Sequence, residues 1–529
     1  MLHAILRVLN NMSDNVVSIV ILFFIFGAYS VICYEILAVF AHPGKSHVDV
    51  YLPITKALAE KGHNVIVISH YPVSSSMPNY QDIDLKDQSK QFVEAIDVEQ
   101  IDPSSKLTRY MLTTFLEYLA QKACKDVMQS KNFQRFMKER HRYHFDLMII
   151  EMFNTDCLMG LADIFNVPVI GLSSCTLMPW ASDRFANPIH TGYIPNNLLP
   201  HSDRMNFLER VENTVVTTLH RFFYRYVMNA NDENIARKYL GEEAANMDSA
   251  INRSSLLLVN THFSLNLPRP FVPNVIEIGG VHVGEPKPLP QNLQKWINES
   301  THGVIYMSLG SLLRGHTLPK DKREAIQKAF SRLPQRIIWK WENDTMEGQP
   351  KNAMLLKWAP QFDILSHPNV KAFISHGGLL GTIEGVHSGT PIVVIPQFGD
   401  QHTNAKAIQA SGGGVILNYR DITEQTIYEA LKTVLDETFQ QQAKELSARY
   451  RDRPLSPLDT AIYWIEYVAR HKGAPHMRTA AVDMPWYQYY LLDVIAFLIA
   501  AVSLPVLLIC WLIRRSSRKS DKEVKIKRS

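Results

Sequence analysis

Apolar and polar positions alternate between two periods along this chain. Glu35-Ile-Leu-Ala-Val-Phe-Ala reads as a buried strand and His42 to His47 as a turn. Val48 to Gly62 carries apolar residues at helical spacing, with Gly62 placed as a C-terminal cap, and Asn64 to Ser69 returns to a strand. Phe145 to Ile150 and Val167 to Leu172 flank a further helical stretch. Strand, helix and strand in succession predict a parallel α/β sheet. Six prolines between Pro268 and Pro290 interrupt the periodicity, after which it restarts. Gly303 to Ser308, Arg336 to Trp339 and Val370 to Ser375 read as strands, and Asp321 to Ser331 as a helix. The expectation is two tandem Rossmann-like, doubly wound domains, with ligands in the cleft outside the carboxyl ends of their strands. The boundaries read as 34–267 for the first, 268–290 for a linker, 291–445 for the second and 446–485 for helices packing back on the first.

Two apolar runs bear on the compartment. Residues 1–33 read as a cleavable signal peptide whose apolar stretch begins at Val16. A second run, Val494 to Ile513, has no charge and is long enough to cross about 30 Å of hydrocarbon as a helix. Trp486, Tyr487, Tyr489 and Tyr490 precede it, so 490–513 is the expected transmembrane helix. Residues 514–529 hold eight basic and two acidic side chains and form a cytosolic basic tail. That tail's +6, against +4 overall, leaves the rest of the chain at −2, which argues against a nucleic-acid partner. The tail ends Lys525-Ile-Lys-Arg-Ser529, similar to dilysine retrieval signals, so a single-pass endoplasmic reticulum membrane protein with a luminal body is expected. A luminal body makes Asn252, Asn298 and Asn343 usable glycosylation acceptors. Cys124, Cys157 and Cys175 do not by themselves spell a disulfide framework. A composition of 46% hydrophobic and 20% charged residues excludes the disordered and fibrous classes.

Five of the 24 glycines fall between His376 and Gly389, after one buried strand and before the next, Pro391 to Ile395. Glycines let backbone amides approach an anion at the positive end of a new helix, so a diphosphate suits the turn. Trp358-Ala-Pro-Gln361, His376-Gly-Gly378, Gly381-Thr-Ile-Glu384 and Pro396 to Gln401 together resemble the signature of the UDP-glycosyltransferase family. Gly44 to His47, Val304 to Ser311, Arg453 to Asp459 and Arg470 to His476 extend the resemblance through the body.

The resemblance implies a GT-B fold and metal-independent, inverting transfer of a hexose from UDP-glucose or UDP-glucuronate to a small lipophilic hydroxylated acceptor. The pattern is more similar to invertebrate members, which implies glucose. No cofactor is implied, because the UDP-sugar is a co-substrate. Trp358 would stack on uracil, an interaction worth about 1–3 kcal/mol, and Gln361 belongs to the same donor-binding array. Glu384 would accept both ribose hydroxyls. Ser308, Gly310, Ser311, His376, Gly378, Gly381 and Thr382 would hold the diphosphate, and Asp400 and Gln401 the sugar. His47 would be the general base, oriented by a carboxylate. The family carries Asp where this chain has Glu151, with Asp156 five residues on as the alternative. Leu380 is a second departure, standing where many relatives carry Asn. Asp82-Ile-Asp84 has metal-binding spacing but lies away from the strand ends. The acceptor pocket is expected from loops within 71–131 and 173–228. A competing reading is a membrane-tethered UDP-sugar and lipophile binder with weak catalysis. The sequence leaves oligomeric state open, a homo-oligomer included.

Overall fold

The computed structural model describes residues 33–88, 91–100 and 106–528; the expected signal peptide lies outside them except for Cys33. The first sheet contains β1 (Glu35–Val39), β2 (Asn64–Ser69), β3 (Tyr80–Asp84), β5 (Leu147–Glu151), β6 (Val169–Ser173), β7 (Ser254–Val259) and β8 (Val275–Glu277). These seven strands run parallel in the order β3-β2-β1-β5-β6-β7-β8. The second contains β9 (Val304–Ser308), β11 (Arg336–Lys340), β12 (Ala353–Leu356), β13 (Val370–Ser375), β14 (Ile392–Val394) and β15 (Gly414–Ile416), also parallel, in the order β12-β11-β9-β13-β14-β15. Both sheets are buried on both faces, which is why their strands read as continuous Ile/Leu/Val runs.

Each sheet reverses its direction of strand addition once, between β1 and β5 in the first and between β9 and β13 in the second. Such switch points open a crevice at the carboxyl ends, because the flanking connections diverge to opposite faces. A short parallel pair ties the units together: β4 (Ile96–Asp97) on β10 (Leu313–Arg314), reinforced by Arg314 to Asp97 at 2.9 Å. Thr403 Oγ1 also donates to Asn197 O and Leu199 O. The helix Pro457–Arg470, capped by Ser456 Oγ on the Asp459 amide, buries Ala461, Ile462, Ile465 and Val468 against the helix Lys45–Glu60 and the first sheet. Leu380 packs into that same N-terminal core layer, so the residue that departs from the family pattern joins the two units apolarly.

Three sequence readings are corrected. The proline-rich 268–290 is not irregular throughout, since Val275–Glu277 pairs with β7 as the edge strand of the first sheet. The strand expected over 145–150 runs Leu147–Glu151, which makes Glu151 its last residue. Cys124 and Cys157 form a disulfide, although the three cysteines Cys124, Cys157 and Cys175 did not announce one. It joins the helix Lys106–Gln129 to the loop after β5, a pairing of partners 33 residues apart that only the tertiary structure brings together. A helix Leu492–Arg528 closes the chain, and its Leu492–Ser516 portion is apolar and long enough to cross a membrane.

Candidate active site

Three adjacent strands, β1, β5 and β6, deliver the groups on the N-terminal side of the crevice. His47 sits in the first turn of the helix that follows β1, Glu151 ends β5, and Ser174 follows β6. His47 Nδ1 lies 2.5 Å from Glu151 Oε1, and Ser174 Oγ donates to the same Oε1 at 2.5 Å while standing 2.8 Å from Nδ1. A carboxylate oxygen only accepts, so this arrangement places the ring proton on Nδ1 and leaves the Nε2 lone pair for a substrate. The ring itself is clamped: His42 stacks on it at 3.8 Å between centroids and Phe153 meets it edge-on at 4.8 Å. Burial, with a lesser contribution from His47, pushes the His42 imidazole well below its ordinary range, so the stacked neighbour is neutral.

Asp156 does not reach this group. It turns into the N-terminal unit and pairs with the buried Arg184, which also donates to Tyr224 Oη at 3.0 Å. The Asp156 amide donates to Asp232 Oδ2 at 2.6 Å. Burial, then the charge of Asp156, hold the Asp232 carboxyl well above its usual range. Asp156 is thus paired with Arg184, while the carboxylate in contact with His47 is Glu151.

On the C-terminal side, His376 follows β13 and Ser308 ends β9, the two strands at the switch point. Gly310 and Gly378 flank the His376 ring so closely that a Cβ on either would lie 2.5 Å from it, and Gly310 has φ +84°. Both facts explain glycine at these positions. The residue is half-buried, and its Nδ1, shielded from solvent, has no partner among the described residues. Burial, with Lys340 adding to it, lowers its pKa to about 4, so the imidazole is neutral in the unliganded protein. Ser308 Oγ accepts the Gly310 amide at 3.2 Å and shapes the loop, while Ser311 O accepts the Glu94 amide from the other unit at 2.7 Å. The helix Leu379–Ser388 starts at Gly378 with no side-chain cap, leaving first-turn amides directed at the crevice. Gly381 and Thr382 lie in this turn, and the Thr382 hydroxyl donates back to Gly378 O at 3.0 Å.

Trp358 follows β12 and is 54% exposed, an open ring face on a loop. Gln361 links it to the helix: its Nε2 donates to Glu384 Oε2 at 2.6 Å and its Oε1 accepts from Tyr306 Oη at 3.3 Å. Asp400 precedes the helix Gln401–Ala410 and accepts from Asn404 at 3.1 Å. Burial raises its pKa, opposed by the Asn404 bond and then by His47 across the crevice. Gln401 Oε1 accepts the Gln397 and Phe398 amides, bracing the loop after β14.

Sequence reading missed Ser174, His42 and Lys340. Lys340 is 6% exposed at the end of β11, bound to Glu342 at 2.9 Å and to Glu94 of the other unit at 3.3 Å, and its Nζ lies 5.7 Å from the Trp358 ring centroid. Its signal was a lysine closing an Ile-Ile-Trp strand, where the ammonium must emerge at the carboxyl edge. Asn252, Asn298 and Asn343 are exposed and away from the crevice; Asn252 accepts from Arg478 and Asn298 from Gln294. Asp82 and Asp84 lie on β3 at the sheet edge, where Asp82 accepts the Val73 amide.

Comparison with known proteins accords with this geometry. Residues 21–527 match the family model described as UDP-glucoronosyl and UDP-glucosyl transferase. The chain is 44% identical to UDP-glycosyltransferase UGT5 of Dactylopius coccus over 92% of each chain. It is 40% identical to UDP-glucosyltransferase 2 of the same organism, over 94% of this chain and 96% of that one. UDP-glucuronosyltransferase 1A1 of Mus musculus is 35% identical over 88% of each. Among solved structures, a UDP-glucosyltransferase from Polygonum tinctorium superposes with a TM-score of 0.53 at 15% identity, covering 83% of this chain and 99% of its own. A fold with two parallel sheets, a crevice that gathers the glycine-rich turn and His47, and a family match over nearly the whole chain lead to one assignment: the chain belongs to the UDP-glucuronosyl and UDP-glucosyl transferase family and is a GT-B glycosyltransferase.

Proposed function

We propose that this glycosyltransferase moves glucose from UDP-glucose, with inversion, to a hydroxyl of a small lipophilic acceptor, with His47 as the base and Glu151 as its orienting carboxylate. The observation that carries the reading is the His47–Glu151–Ser174 group at one switch point, facing Asp400 across the crevice. The acceptor O–H proton passes to His47 Nε2 as its oxygen attacks the anomeric carbon. The bond from that carbon to the diphosphate breaks, and UDP leaves with its new charge facing the amides that start the helix Leu379–Ser388. The imidazolium is held by Glu151 until the proton returns to solvent. Glucose is favoured over glucuronate because a relative at 40% identity is named a UDP-glucosyltransferase. On this reading the body is luminal, the helix Leu492–Ser516 spans the endoplasmic reticulum membrane, and Asn252, Asn298 and Asn343 carry glycans. The test is UDP release by microsomes holding the full chain, with UDP-glucose and UDP-glucuronate compared over a panel of phenols, followed by the anomeric configuration of the product. Acceptor-dependent release with UDP-glucose and a β-product is expected. A retained α-configuration, or release only with UDP-glucuronate, contradicts the mechanism or the donor respectively.

Glu384 supplies a pH prediction. Burial raises its pKa from 4.5 to about 7, against the Gln361 hydrogen bond and with a further push from Asp49. The folded carboxyl therefore holds a proton that the unfolded one has lost, and the unliganded protein loses stability as pH rises from 4.5 to about 7. Ribose hydroxyls that donate to the carboxylate need that proton gone, so UDP affinity should climb over the same interval and level off above it. Calorimetry on the wild type and on Glu384→Gln separates this from the ligand's own titration, which both share. Equal slopes in the two proteins would remove Glu384 from the ribose site.

A further inference from the structure

The helix Phe207–Phe223 is amphipathic in the wrong sense for a soluble surface. At about 100° per residue, Leu208, Val211, Val215, Leu219 and Phe222 fall within an arc of about 80°, and Tyr226 in the following turn continues it. All six lie outward and are 45–74% exposed. The inward face is polar and satisfied: Asn213 accepts the Asn196 amide at 2.8 Å and donates to Thr191 O and Ile194 O, while Asn196 Nδ2 bonds Thr217 and His220. A helix that turns Asn, Thr and His inward and Leu, Val and Phe outward has its apolar partner outside the chain.

The position of the stripe names that partner. Arg221, held by Asp183 through two hydrogen bonds, donates from Nη1 to Tyr490 Oη at 3.2 Å. Tyr490 stands two residues before the apolar helix Leu492–Ser516 and beside Trp486 and Tyr487, which are also exposed. The C-terminal end of the stripe therefore meets the chain where it enters the bilayer. The neighbouring helix Lys106–Gln129 exposes Met111, Phe115 and Tyr118 as well, and its Tyr110 donates to Glu212. Glu212, at the edge of the stripe, is further bound by His201 Nε2 at 3.0 Å, so its charge is paired rather than offered to lipid.

We propose that the outward face of Phe207–Phe223 lies in the interfacial layer of the same bilayer that its own C-terminal helix crosses, docking the unit that carries His47 on lipid. The proposal rests on the spanning role of Leu492–Ser516 given above. Docking fixes that unit against the phase in which lipophilic acceptors concentrate.

The test uses the full chain in phosphatidylcholine vesicles, with Val215→Cys or Leu219→Cys labelled with an environment-sensitive fluorophore and the free cysteines Cys33, Cys175 and Cys510 replaced by serine. Cys510, labelled alone, reports the span, and Lys432→Cys reports water. Lipids spin-labelled near the top of the acyl chain should quench the stripe probes by roughly half or more, matching insertion of about 5–10 Å, with blue-shifted emission, and leave position 432 untouched. Blue-shifted emission without lipid quenching would mean that protein covers the stripe and overturns the proposal, as would water-like emission. An unquenched Cys510 overturns the spanning reading and this proposal with it, whereas a quenched Cys510 beside unquenched stripe probes overturns the docking alone.

Discussion

Replacing His47 with alanine should lower the turnover rate by roughly 10²–10⁴-fold, the usual contribution of a positioned general base, while UDP binding changes little. The asymmetry follows from where the groups sit. His47 belongs to the N-terminal unit, at the switch point between β1 and β5, and Trp358, Glu384 and His376, proposed to hold the donor, belong to the unit of the other sheet. Glu151→Gln should reproduce part of the loss, because an amide of the same shape can present its N–H2 to Nδ1 and favour the tautomer that protonates Nε2. The check is kcat and UDP affinity measured side by side for the wild type and both variants. Turnover retained in His47→Ala would end its role as the base, and UDP affinity lost with it would show that the helix Lys45–Glu60 had moved.

Removing the Arg184 side chain should be among the most destabilising single changes in the N-terminal unit, at about 3–5 kcal/mol. Its guanidinium is 4% exposed and pairs with Asp156, 1% exposed, in an interior that also holds Asp232. Without it, a carboxylate stays buried with no compensating charge, and burial of an ion is far costlier than the net worth of the pair. Arg184→Met combined with Asp156→Asn should recover much of the loss, since it leaves two neutral groups of similar size. Denaturant unfolding of the full chain in detergent reads both effects. The double variant should also keep kcat near the wild-type value once folded, because Asp156 does not touch His47. A tenfold fall in kcat for the folded double variant would return Asp156 to the catalytic group, and a cost under about 1 kcal/mol for Arg184→Met alone would mean that water reaches the network.

The sequence by itself determined the two-sheet α/β plan, since strands buried on both faces must be apolar throughout and these were read as such from 35–41 to 391–395. It also located the residues proposed to hold the donor, because one contiguous stretch, Trp358 to Gln401, carries the glycine-rich turn, the ring face and the carboxylate. Local chemistry at short spacing is legible without a fold. The tertiary structure alone decided what depends on groups far apart in the chain. Glu151 rather than Asp156 contacts His47, because β5 runs one residue further than its apolar pattern suggested and ends beside β1. Ser174 joins them only because β6 lies next to β5. The Cys124–Cys157 bond, and the pairing of β4 with β10 that seats Glu94 against Lys340, have no signature along the chain. Spatial neighbours separated by tens or hundreds of residues are chosen by strand order and sheet packing, and a one-dimensional pattern carries the periodicity of each element but not the order in which the elements assemble.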